Sequence, residues 1–161
     1  MTRIIQRELI GLNTAQILAT FFMPLGGEAN GVIALVFKDH SGELSELSAG
    51  GSGELRLGQD PLGKLFFDKS LGYSCVAPLI LMFEGALDGS EQIMDVLIDE
   101  MPNKTKIDLL LDNSLTLHLQ LEDDELYVSL DNFSELSITI SRYFRRSSGC
   151  RLSSFISRVS M

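Results

Sequence analysis

The sequence predicts an α+β fold, a largely antiparallel β-sheet with one or two amphipathic helices packed on one face. Three observations carry this. Leu115, Leu117, Leu119 and Leu121 alternate with Ser114, Thr116, His118 and Gln120, and Leu126, Val128 and Leu130 resume the pattern after four acids. Such alternation is that of two half-buried strands joined as a hairpin. Ile93, Met94, Leu97, Ile98 and Met101 recur instead at helical spacing. With 161 residues and 45% apolar content, the chain is long enough for one domain with a sizeable core, and residues 1–161 read as a single globular domain.

From the N-terminus, residues 15–25 and 31–39 are apolar runs joined by the glycine-rich 26–30. Val32, Ile33, Leu35, Val36 and Phe37 are apolar on both strand faces, as in a central strand. The first run fits either the partner strand of a hairpin or a helical face capped by Asn13. Residues 40–72, richer in Gly, Ser and Asp, read as short edge strands and loops, and residues 73–83 as a buried apolar stretch. Residues 88–101 predict a helix, with Asp88 or Ser90 at its cap and Pro102 as its stop. Residues 106–111 predict a strand, and the 115–130 hairpin follows with Glu122, Asp123, Asp124 and Glu125 as its tip. Leu152, Phe155, Ile156 and Val159 suggest a short C-terminal helix.

Charge is distributed unevenly. Between Glu84 and Glu135 there are fourteen acids and two lysines, whereas from residue 136 onward there are five arginines and no acid. The net charge is −9. A field of one sign selects partners of the opposite sign. On the predicted helix, Glu91, Asp95 and Asp99 lie four residues apart and would form an acidic stripe. Like charges at that spacing cost a helix about 0.2–0.5 kcal/mol per pair, and acids near its C-terminal end oppose the dipole. A cationic partner across the stripe would explain that cost, while a solvated face kept for solubility is the plainer account of any single acid run.

Other constellations carry less. The tip acids lack the alternation and the central glycine of a calcium loop. Residues 49–54, Ala-Gly-Gly-Ser-Gly-Glu, lack the Lys-Ser/Thr and the helix of a phosphate loop, so a turn is the expectation. His40 reads as a turn residue, and His118 as a solvated or cross-strand residue on a polar strand face. Arg142, Arg145, Arg146, Arg151 and Arg158 fit pairing with the protein's own acids, within the chain or across a homodimer, better than binding a polyanion, which the net charge repels. The two cysteines, Cys75 and Cys150, imply no disulfide framework and a cytoplasmic setting. The start of the chain is too polar for a membrane span, and it is not read as a signal peptide.

The sequence thus carries no catalytic constellation, cofactor motif or metal-ligand spacing. The expectation is a non-enzymatic, acidic protein-binding module that neutralises a basic partner, most concretely an immunity protein or antitoxin against a nuclease-type toxin. Glu91, Asp95, Asp99, Glu122, Asp123, Asp124 and Glu125 are its expected contact residues. Reversing three of the tip acids to lysine should then abolish binding without unfolding the protein. The alternatives are a dimeric chaperone for a secreted effector, which would need apolar grooves and sheet edges, and an enzyme or small-molecule site built on Asp39, His40 and the glycine turn.

Overall fold

The computed structural model describes residues 2–24, 30–58, 72–123 and 125–131. Nine strands and one α-helix are found among them. The helix, α1 (Thr2–Leu9), was not anticipated. Its Ile5 and Leu9, one turn apart, are both buried in the core. A 3-10 turn at Thr14–Gln16 follows. Asn13 and Gln16 close it reciprocally, the Gln16 side chain accepting the Asn13 amide at 2.8 Å.

The ambiguous first run is a strand, β1 (Ile17–Pro24), and it pairs antiparallel with β2 (Asn30–Lys38). Ala34, Leu35, Val36 and Phe37 are all at most 2% exposed, so β2 is buried on both faces as its composition predicts. β3 (Leu44–Ala49) and β4 (Leu55–Gly58) are the short strands expected beyond residue 40. β5 (Gly72–Pro78) pairs with β1 and leads into a 3-10 segment, Leu79–Phe83, that buries Leu79, Met82 and Phe83.

The predicted helix over 88–101 does not form. Residues Ile93–Met101 are a strand, β6, followed by β7 (Lys104–Leu111), β8 (Thr116–Glu122) and β9 (Glu125–Leu130) in one antiparallel meander. The physical reason is an irregularity in the β6–β7 register, where Ile93 pairs with Leu111 and Asp95 with Leu110, so that Met94 is an extra residue. A bulge of this kind places Ile93 and Val96, three residues apart, on the same buried side. That spacing imitates a helix. Met94 and Leu97, which a helix would have buried, are 57% and 51% exposed. Pro102 ends no helix but sits with Asn103 in the two-residue turn between the paired Met101 and Lys104. Asp88 does cap, but it caps a turn, its Oδ1 accepting from the amide and hydroxyl of Ser90.

The strands run β4-β3-β2-β9-β8-β7-β6, with β1 and β5 branching from β2. One edge of β2 carries β1, and its other edge is shared. Residues Ala34 to Lys38 pair with β3, while Val32 pairs with Leu126 of β9. The β1–β2 register shifts at Thr20, Phe21 and Phe22, beside this change of partner, and such irregularities bend a sheet. The sheet therefore folds over a single apolar cluster. Phe21, Leu35, Phe37 and Leu47 from one wing share it with Val96, Ile107, Leu109, Leu119 and Val128 from the other. The wings also meet at the β3–β4 turn, where the Thr105 hydroxyl donates to the Gly53 carbonyl at 2.9 Å.

Among the described residues β6 is the outer strand of the meander, and its backbone is partly plugged. The Val96 amide donates to the side chain of Asp95, and the Val96 carbonyl accepts from Gln6 of α1 at 2.8 Å. Occupying outward backbone groups in this way blunts strand addition. The predicted C-terminal helix, the tail arginines and the side chains of both cysteines lie outside the described residues.

Candidate protein-binding face

Directly opposed residues in an antiparallel ladder point to the same face, and so do residues two apart along a strand. The outer face of the meander therefore follows from the register. Leu97, Asp108, His118 and Ser129 form one row across β6, β7, β8 and β9. Asp99, Lys106, Gln120 and Tyr127 form the next, and Met101, Lys104, Glu122 and Glu125 the last before the β8–β9 turn. On the other side of the first row lie Asp95, Leu110 and Thr116. Rows are roughly 7 Å apart and strands about 4.8 Å apart. The inner face of the same strands is apolar and buried, from Thr105, Ile107 and Leu109 to Leu117, Leu119 and Leu121.

The face is acidic. Asp95, Asp99, Asp108, Glu122, Glu125 and Asp131 supply carboxylates, against the ammonium groups of Lys104 and Lys106. Two large apolar groups stand among them, Leu97 at 51% exposure and Tyr127 at 52%. Tyr127 is fixed by its hydroxyl, which donates to Glu125. That hydrogen bond, reinforced by slight desolvation and by the nearby carboxylates, raises the phenol's pKa above its ordinary value. Gln120 is likewise tied, donating to Glu122 at 2.8 Å.

The centre of the face is His118. Its Nδ1 lies 2.8 Å from Asp108 and its Nε2 lies 2.7 Å from Asp131. The second carboxylate oxygen of Asp131 accepts the Thr116 amide at 2.9 Å. The hydrogen bond to Asp131 is the main cause holding the imidazole above its ordinary value; burial opposes it and Asp108 adds to it. Asp131 is correspondingly lowered by His118 and by the Thr116 amide. A shallow depression of about 360 Å³ lies beside the ring, lined by Lys106, Asp108, Gln120, Tyr127 and Ser129.

The seven expected contact residues divide. Asp95, Asp99, Glu122 and Glu125 come together on this face, although on strands rather than on a helix and a tip. Asp123 is exposed at the turn, with φ 50°, and Asp124 lies outside the described residues. Glu91 does not lie on this face. It is 7% exposed and accepts three hydrogen bonds, from the Thr14 hydroxyl at 2.7 Å and from the amides of Gly89 and Asp88 at 3.1 Å each. Its carboxylate organises the loop before β6. The helical stripe and its dipole cost therefore fall away with the helix.

Asp108, Asp131 and Tyr127 were not singled out in the sequence, and Leu97 was read only as an apolar position of a helix. A hairpin register drawn through residues 106–121 would have set Asp108 opposite His118. Asp131, however, reaches the ring from beyond the end of β9, which no register shows.

The site imagined from Asp39, His40 and the glycine turn is not assembled. Asp39 and His40 lie at one end of β3, where Asp39 caps its own turn through the amides of Ser41 and Glu43. The His40 ring faces the Ile10 carbonyl at 3.2 Å. The glycine turn lies at the other end of β3, about 17 Å away. It is occupied by its own acid, Glu54, which accepts the Ser52 amide at 2.8 Å and pairs with Arg56 at 3.2 Å. Among the described residues no group of three or more His, Cys, Asp or Glu is arranged to hold a metal ion. No described helix is long and apolar enough to cross a membrane. No protein family, curated protein or solved structure matches the chain.

Proposed function

We propose that the protein is an acidic protein-binding module whose β6–β9 face neutralises a basic partner, in the manner of an immunity protein or antitoxin acting on a nuclease-type toxin. The observation that carries this reading is the gathering of Asp95, Asp99, Glu122 and Glu125 on one exposed face around Leu97 and Tyr127. Enzymes that hold nucleic acid need cationic surface, and an inhibitor gains speed and selectivity by presenting carboxylates to it. The exposed tyrosine and leucine supply what charge alone does not, a pair of apolar anchors for a desolvated contact. Side chains presented from hydrogen-bonded strands also need less ordering on binding than a loop would. The chaperone alternative calls for free sheet edges, and the plugged backbone at Val96 does not favour it.

The test is capture of a partner from the source cell's lysate at low salt, identification by mass spectrometry, and measurement of the purified pair. The triple variant Asp95→Lys, Asp99→Lys, Glu122→Lys should weaken the complex by at least about thirtyfold and slow its association most at low salt. Its circular dichroism should match the parent, since all three side chains lie on the outer face. A basic partner bound equally well by the variant would refute the reading, as would a partner that is itself acidic.

A further inference from the structure

We propose that His118 is a proton-operated clamp on the acidic face: while protonated it holds Asp108 on one ring nitrogen and Asp131 on the other, and on losing the proton it yields carboxylate to a cationic partner. The role rests on the acidic-face reading. The geometry itself does not.

A neutral imidazole has one N–H and one bare nitrogen, so it can donate to one neighbour only. Here both nitrogens face carboxylate oxygens, at 2.8 and 2.7 Å. The imidazolium satisfies both as donor. The neutral ring would set a lone pair against one of them, and that contact must open. Either Asp131 Oδ1 is released, its other oxygen staying held by the Thr116 amide, or Asp108 is, whose carboxylate has no other hydrogen bond among the described residues. Deprotonation thus removes a positive charge from the middle of the face and frees a carboxylate at the same point.

On β7 the charged neighbours are Asp108 opposite and Lys106 on the diagonal; on β9 the titratable neighbours are Tyr127 and, beyond the strand end, Asp131. Asp95 and Asp99 lie one strand further, on β6. Lys106 disfavours the imidazolium and the acids favour it, and the two at contact distance dominate. The direction agrees, because Asp131 and Asp108 hold the ring above its ordinary value of about 6.5. The clamp's contribution to stability is therefore complete below the unfolded value and is lost as pH rises through the folded one. A cationic partner and the proton compete for the same carboxylates, so affinity should rise over that range, on the order of three- to tenfold for one charge at this distance.

The experiment has two arms. The first is an NMR titration of the His118 imidazole resonances. His118 should titrate above the ordinary imidazole value, and Asp131→Asn should bring it down. A wild-type His118 that titrates at or below the ordinary imidazole value would overturn the clamp. The second arm measures binding of an octa-arginine peptide, which has no titrating side chain, between pH 6 and 9. Wild type should bind more tightly as pH rises. His118→Gln should lose that dependence, and Asp131→Asn should shift its midpoint to lower pH. Binding without pH dependence, or dependence that survives in both variants, would refute the clamp and leave the acidic face standing. No binding at any pH would remove the acidic-face reading, and the partner-gating role with it, whatever the titration shows.

Discussion

Replacing Glu91 with alanine is expected to destabilise the fold by about 3 kcal/mol, a fall of roughly 10 °C in Tm. The carboxylate is buried and accepts the Thr14 hydroxyl and two loop amides, all of which the substitution leaves without a partner. Each orphaned buried donor costs about 1–3 kcal/mol, less where the opened loop admits water. Glu91→Gln should lose about half as much, because its amide oxygen replaces one carboxylate oxygen and its NH2 faces a donor. Asp99→Ala is the contrast, since its side chain is on the exposed outer face and should change stability by no more than about 0.5 kcal/mol. Chemical denaturation of the three variants decides the matter. Equal stability of Glu91→Ala and the parent would mean that the buried carboxylate does not organise the loop.

Gly53→Ala should cost about 3 kcal/mol as well, for a different reason. The residue has φ +73°, a conformation that costs a side-chain-bearing residue roughly 1 kcal/mol. An added Cβ would lie 2.6 Å from the Asn103 carbonyl oxygen and 2.8 Å from that of Leu121. Both are backbone atoms and cannot rotate away. The β3–β4 turn must therefore lift off the meander, and the Thr105 hydroxyl loses the Gly53 carbonyl. Gly85→Ala separates the two contributions. It has φ +89° with open space around the new carbon, so it should show the conformational cost alone, about 1 kcal/mol. If the two variants were equally stable, the contact between the wings would carry no energy of its own.

These positions also show where sequence reasoning reached and where it stopped. The β8–β9 hairpin was legible because Leu115 to Leu121 alternate without interruption and the following acids mark the turn. β2 was legible as a two-sided buried strand from Val32 to Phe37. β6 was not, because the extra residue at Met94 converts a period of two into a local period of three, and Pro102 supplied a false stop. The helix that does form, α1, is short and charged, and its buried Ile5–Leu9 pair is too small a signal to stand out. The candidate face was half legible: Asp95 and Asp99 were named for their charge but placed on a helix, Glu122 and Glu125 were placed at the hairpin they flank, and Glu91, which is buried, was named with them.

The sequence by itself determined that carboxylates would crowd the segment from Glu84 to Glu135 and that its strands would bury one face. Both are properties of composition and local period, which survive any register. Only the tertiary structure decided which acids lie together on one face. Glu91 turns inward because loop amides from Asp88 and Gly89 and the Thr14 hydroxyl, some 77 residues away, converge on it. Asp99 and Glu122 turn outward to one face because the ladder β6-β7-β8 sets them there. His118 meets Asp108 and Asp131 for the same reason. Pairing between strands is a non-local choice, made by the burial of the leucines on the opposite side, and the charges follow it.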